Sequence, residues 1–200
     1  MRYLAVFFLI LGFSAFPVQA GTLGLPALGT APEDGSAASQ FRLGLAFETG
    51  HDRPPDQVEA VRWFRRAAEQ GLPEARFTLG QAYFLGKGVT QNLGEAIKWF
   101  RLAAEQGLAD AQYQLGVAYD RGDGVRRDPA RAVVWYRLAA EQGDAAALYN
   151  LALACYYGQG TPQNFDEARF YLTEAAAKGD PDAREALAAL FPAGAETPLR

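Results

Sequence analysis

Few residues of this 200-residue chain have the type and spacing that chemistry requires. The one histidine, His51, stands beside Asp52 and near Asp56, a grouping that could support a general base. It falls in a turn with Arg53-Pro54-Pro55 and reads as a solvated loop residue instead. Beyond residue 20, serine occurs only at Ser36 and Ser39, and neither starts the Ser-x-x-Lys arrangement of acyl transfer. Asp120, Asp123 and Asp128 cluster around another turn, but they lack the alternating ligand spacing and closing Glu of a calcium loop. Asp128 is better read as a helix cap. Cys155 is the single cysteine, so no internal disulfide can form. No electropositive neighbour is apparent that would lower its pKa, and it reads as a buried apolar filler. Arg62, Arg65 and Arg66 read as the solvated face of a helix whose other side holds Trp63 and Ala67. No catalytic residue, metal ligand or cofactor site is expected, and the chain is not read as an enzyme.

The elements that carry these residues repeat every 36 positions. Leu43, Leu79, Leu115 and Leu151 form one column; Trp63, Trp99, Trp135 and Tyr171 form another; Gly71, Gly107, Gly143 and Gly179 form a third. Cys155 shares its column with Phe47, Tyr83 and Tyr119. Self-similarity at this period marks a stacked-repeat architecture. The expected repeats span 39–74, 75–110, 111–146 and 147–182.

Within the second repeat, Ala75, Leu79 and Tyr83 recur at four-residue spacing and predict a helix from Pro73 to Leu85. Pro73 suits a first helical position, and Gly86 the position just past the end. After Gly86-Lys87-Gly88, Asn92 and Glu95 have the spacing of a capping box, repeated by Asp56/Glu59 and Asn164/Glu167. Asp128 followed by Pro129 is the equivalent start in the third repeat. The second helix carries Ala96, Trp99, Phe100, Ala103 and Ala104 and is expected to end at Gly107. Small residues at Gly80, Ala96 and Ala103 should admit close backbone approach, with Trp99 and Tyr83 filling the gap between repeats. A single helix pair cannot bury its stripe, so stacking is obligatory. In the first repeat the glycine pair decays to Gly50 and Asp52. Ala183 and Leu187 place a last helix over 181–190 that reads as a cap.

Half of the chain is apolar and its net charge is −4, with basic residues interleaved among acids, which excludes a nucleic-acid surface. Arg2, an uncharged run over residues 3–16, and Val18-Gln19-Ala20 before Gly21 read as a cleaved export signal. The expected organisation is a signal peptide at 1–20, a flexible linker at 21–35, the repeat domain at 36–191 and a flexible tail at 192–200. No membrane span is expected after cleavage.

The residues Ala75, Leu79, Gly80, Tyr83, Gly86, Gly88, Val89, Ala96, Trp99, Phe100, Ala103, Ala104, Gln106 and Gly107 resemble the Sel-one-like repeat family, relatives of the tetratricopeptide repeat. The third repeat matches as fully; the first departs in its turn, and the fourth at Ala152, Cys155 and Thr161. The resemblance implies an all-α fold, an α-solenoid of four 36-residue helix-turn-helix repeats with a C-terminal capping helix, wound as a right-handed superhelix. It also implies a protein-binding adaptor or scaffold in signalling or envelope assembly, with a membrane-bound sensor or an envelope component as partner. Export then places it in a bacterial periplasm or outside the cell. The alternatives are a secreted β-lactamase-like hydrolase or a polysaccharide or peptidoglycan binder. The relatives linked to β-lactams depend on paired cysteines that this chain lacks.

A recognition surface is expected on the first helices, opposite the Leu79 face. Phe77, Gln81, Phe84 and Leu85 lie there at offsets of 0, 4, 7 and 8. Their counterparts are Phe41, Leu45, Glu48 and Thr49; Tyr113, Val117, Asp120 and Arg121; and Tyr149, Leu153, Tyr156 and Tyr157. In the tetratricopeptide relatives that side lines the concave groove. The Phe41/Phe77/Tyr113/Tyr149 column varies so little that it reads as packing between neighbouring first helices. The columns of Phe84 and Leu85 vary more and are the better specificity candidates.

Overall fold

The computed structural model describes residues 35–50 and 54–192. The expected export signal at 1–20, most of the expected linker, residues 51–53 and residues 193–200 lie outside the described residues. The described chain is all α: α1 (Ala37–Thr49), α2 (Gln57–Glu69), α3 (Pro73–Leu85), α4 (Leu93–Ala104), α5 (Ala109–Arg121), α6 (Pro129–Glu141), α7 (Ala145–Tyr157), α8 (Phe165–Ala177) and α9 (Pro181–Leu190). Each helix packs on the next in chain order, most extensively within the pairs α1–α2, α3–α4, α5–α6 and α7–α8. The last helix, α9, packs on α8 as the cap. This is the α-solenoid expected from the period.

Local chemistry fixes the helix ends. The side chains of Asp56, Asn92, Asp128 and Asn164 each accept a hydrogen bond from the backbone N–H three residues on. The reciprocal half of the capping box does not form. The backbone N–H of each capping residue donates instead to the carbonyl of Phe47, Tyr83, Tyr119 or Cys155 in the preceding helix, at 2.8–2.9 Å. The turn places that carbonyl over the cap, so the N–H is already satisfied. Glu59 and Glu95 are thereby released to pair with Arg62 and Lys98 on the surface. Such exposed pairs stabilise little.

α4 stops at Ala104, three residues before the expected end at Gly107. The intervening turn is a Schellman closure: Leu108 N–H donates to Ala103 O at 3.2 Å and Gly107 N–H to Ala104 O at 3.0 Å, with Gly107 at φ +92. The glycine therefore acts as the expected terminator through the closing turn.

The core differs from expectation in one column. Trp63 is buried as expected, but Trp99 and Trp135 are only half-buried, whereas Phe100 is 2% exposed and Tyr136 4%. Beneath these rings lies a notch. A Cβ built on Gly80 would stand 2.6 Å from Phe100 Cδ1, and one on Gly44 or Gly116 would meet Phe64 or Tyr136 at 2.5 Å. The missing side chain thus lets the first helix seat the ring of its own second helix. In the fourth repeat the notch residue is Ala152 and the ring is replaced by the buried Leu172. The larger small residue faces the smaller knob, which conserves volume.

Repeats are also tied by polar contacts. Arg65 donates to the Tyr83 hydroxyl at 2.7 Å and Arg101 to the Tyr119 hydroxyl at 3.2 Å, each reaching from a second helix to the next first helix. Arg66 lies 4.4 Å from the Trp63 ring centroid. Of the three arginines expected on a solvated face, Arg62 and Arg66 are exposed and Arg65 is half-buried; Arg65 and Arg66 also use their long stems to reach neighbouring aromatics.

Candidate binding surface

The first helices present the twelve expected groove residues in three different states. Phe77 and Tyr113 are half-buried and rest on Phe100 and Tyr136, with ring centroids 5.6 and 6.1 Å apart. Phe41 sits likewise on Phe64 at 5.5 Å. This column is packing, as its near-invariance implies, but chiefly against the second helix of the same repeat. A contact between adjacent first helices occurs where Asn150 Nδ2 donates to the Tyr113 hydroxyl at 3.5 Å. Burial pushes that phenol above its ordinary pKa, and the Asn150 bond only partly offsets it. Tyr149 is half-buried against the cluster formed by Leu148, Ala152 and Leu172. Gln81, Val117 and Leu153 are half-buried.

The Phe84 column is committed to internal contacts at each of its four positions. Phe84 lies 6.5 Å from Phe100, and Glu48 pairs with Lys87 at 2.6 Å. Asp120 faces Arg127 at 3.7 Å. Tyr156 is surrounded edge-on by Tyr157, Phe165 and Phe191 at 5.0, 5.1 and 5.7 Å. Phe191, just past α9, thus brings the C-terminal cap against the fourth repeat. The backbone carbonyls of this column are satisfied too, by Gln57, Gln91, Arg127 and Gln163 side chains at 3.0, 2.8, 2.6 and 2.8 Å.

What remains open is the neighbouring column. Leu85 is 45% exposed and Tyr157 57%, while Thr49 and Arg121 occupy the same place in the other two repeats and are also exposed.

Cys155 is buried, and its thiol donates to Glu167 Oε2 at 3.6 Å. Burial, then the Glu167 charge and hydrogen bond, push the thiol up to about 11 against a lowering by Arg137. The thiol therefore stays protonated through neutral pH. A thiol-reactive chromogen at pH 8 is expected to label it only after unfolding; rapid labelling of native protein would contradict the buried placement. Sequence reasoning recognised the filler but not the Glu167 and Arg137 neighbours, which the 36-residue alignment does not bring together.

The third repeat holds a feature that residue-by-residue reading missed. An open trough of about 550 Å³ is bounded by Arg101 and Tyr119, the Val125–Arg127 turn, Asp128, Pro129 and Arg131. Arg131 lies 5.6 Å from the Tyr119 ring centroid. Burial pushes the Tyr119 hydroxyl up, but hydrogen bonding to Arg131 and Arg101, with their charges, outweighs it and holds the group below the ordinary tyrosine value. Among the described residues no group of three or more His, Cys, Asp or Glu could hold a metal ion, and no helix is long and apolar enough to cross a membrane.

These helices and their exposed first-helix column define an α-solenoid of the helical-repeat scaffold class. Sel1 repeats match at residues 37–72, 73–108, 109–144 and 145–180, two residues ahead of the expected register. The chain belongs to the Sel1 repeat family, whose members are typically protein-interaction scaffolds and generally non-enzymatic. It is similar to a protective antigen of uropathogenic Escherichia coli strains displaying an SLR fold, with 38% identity and TM-score 0.77, over 80% of this chain and 34% of that one. A Sel1 repeat protein from Oxalobacter formigenes aligns at 36% identity and TM-score 0.74, over 80% of this chain and 66% of that one. Helicobacter pylori cysteine rich protein B shares the fold at 22% identity and TM-score 0.52, over 66% and 94%. This chain thus spans about a third of the E. coli protein's length. No curated protein matches the sequence.

Proposed function

We propose that this chain is an exported, non-catalytic adaptor of the bacterial cell envelope that binds a protein partner along its first helices. In this role it regulates or assembles an envelope or signalling complex. The observation that carries the reading is the exposure of Leu85 and Tyr157 in a column whose residue type changes from repeat to repeat, while adjacent columns are consumed by packing. Large side chains that the fold leaves in water, and does not need, are the type that binding energy concentrates on. The expected leader at residues 1–20 supports export, and so does the similarity to a protein described as a protective antigen of uropathogenic strains.

The test is capture from crosslinked envelope extract with the parent chain and with Leu85→Ala combined with Tyr157→Ala. Loss of one aromatic and one aliphatic anchor is expected to weaken capture by roughly tenfold or more. The melting temperature should stay nearly unchanged, because both side chains are exposed. The recovered protein is expected to begin at Gly21. Undiminished capture by the folded variant would reject this surface, and captured glycan in place of protein would favour the polysaccharide-binding alternative.

A further inference from the structure

The third repeat carries positive charge that the same turn in its neighbours does without. Arg126, Arg127 and Arg131 align with Thr90, Gln91 and Glu95 in the second repeat and with Pro162, Gln163 and Glu167 in the fourth. The local backbone is nevertheless the same. Gly86, Gly122 and Gly158 close the first helices at φ +71, +86 and +68, and Gly88, Gly124 and Gly160 follow at +70, +70 and +75. Asn92, Asp128 and Asn164 cap the second helices alike. Arg127 Nε makes the same bond to a first-helix carbonyl that Gln91 and Gln163 make through their amides. A neutral residue therefore suffices there. Arg126 makes no hydrogen bond or ion pair to the described residues and is exposed.

Arg101 adds a fourth guanidinium from α4, held by its bond to the Tyr119 hydroxyl. Against these stand three carboxylates: Asp128, 3.2 Å from Arg131 Nε, Asp120, 3.7 Å from Arg127, and Asp123 in the same turn. Positive charge is left in excess on a chain whose net charge is −4. We infer that this trough is a second recognition site, one that binds an acidic peptide segment of a protein partner through guanidinium–carboxylate pairs. Planar guanidiniums match carboxylates with two parallel N–H···O bonds, which favours arginine over lysine for this task. Val125, Pro129 and the Tyr119 ring supply apolar wall for the aliphatic part of Glu and Asp side chains. The trough, of about 550 Å³ and open to solvent, is larger than one inorganic anion needs. The trough shares no lining residue with the exposed Leu85 column, so it stands or falls separately from the adaptor surface described above.

The experiment uses the full chain and a fluorescent hexaglutamate peptide, with hexaglutamine and inorganic phosphate as controls. The parent should bind hexaglutamate, ignore hexaglutamine, and lose affinity as salt is raised. Arg126→Thr with Arg127→Gln and Arg131→Glu, which reproduces the second repeat, should weaken binding by about tenfold or more at unchanged helicity. Arg126→Thr alone breaks no contact and should weaken it measurably if the triple variant fails to fold. Equal hexaglutamate binding by parent and folded variants overturns the assignment, as does failure of the parent to bind. Displacement by phosphate at the same concentration as unlabelled peptide would mean that any free anion suffices, and the peptide assignment would be wrong.

Discussion

Phe100→Ala is expected to destabilise the solenoid by about 3–5 kcal/mol, the range for truncating a fully buried aromatic that leaves a cavity behind. Phe100 is 2% exposed and fills the notch over Gly80, while Phe77 and Phe84 pack on it at 5.6 and 6.5 Å. Both helices of the second repeat, α3 and α4, thus lose their common contact. Trp99→Ala removes a bigger side chain, but a half-buried one, and is expected to cost roughly half as much. The position in the array enlarges the difference. A solenoid is stabilised by each repeat and by its interfaces with its neighbours, so weakening an interior repeat uncouples the repeats on either side. Chemical melts of the two variants should therefore differ in midpoint, and Phe100→Ala should broaden the transition. A larger loss for Trp99→Ala would return the tryptophan column to the centre of the core.

That ranking shows how far the sequence could be read. The period, the helix ends at Pro73 and Leu85, the caps at Asn92 and Asp128 and the terminal helix were all legible, because each depends on local spacing or on a residue with a specific backbone role. Which of two adjacent aromatic columns is buried was not legible from size. Tryptophan is the larger residue, but burial is decided by the surface opposite, and the notch at Gly80 faces the Phe100 column. The clue lay in paired columns: where glycine becomes Ala152, the ring becomes Leu172. The capping box was half right for a similar reason. Sequence spacing identifies a residue able to close the cap, but not the carbonyl of Tyr83 that the turn delivers first.

The candidate surface was legible in a narrower sense. Variation between repeats marks the near-invariant Phe77 column as packed, which it is, and leaves the Phe84 and Leu85 columns as candidates. It could not separate Phe84 from Leu85, because both vary while only one remains exposed; Tyr156 shows the cost, being enclosed by Phe165 and by Phe191 from beyond the last repeat. The arginine trough escaped because the turn was read through its acidic residues alone, Asp128 as a cap and Asp120, Asp123 and Asp128 as a cluster without calcium-loop spacing. Compared with Thr90, Gln91 and Glu95, the same positions carry three positive charges that their neighbours lack.

Gly88→Ala is expected to destabilise by about 2–5 kcal/mol, combining a left-handed backbone penalty of about 1–2 kcal/mol with overpacking of about 1–3 kcal/mol. Gly88 has φ +70, and a Cβ there would overlap the backbone carbonyl of Gln57, the first residue of the preceding repeat's second helix. Backbone cannot rotate aside as a flexible side chain can, so the strain must be relieved by moving one repeat against the next. Gly124 makes the same approach to Leu93 O at 2.6 Å, and Gly160 to the Pro129 carbonyl, so the contact belongs to the stacking geometry rather than to one turn. Gly107 provides the control. Its φ is +92, yet nothing lies within 4 Å of a Cβ built there, so Gly107→Ala should cost only the backbone term of about 1–2 kcal/mol. The comparison isolates the inter-repeat contact because both substitutions add the same methyl group to a glycine of positive φ. Thermal or denaturant melts of the two variants measure it, and equal losses would mean that the second glycine of each turn serves the turn alone and does not set the distance between repeats.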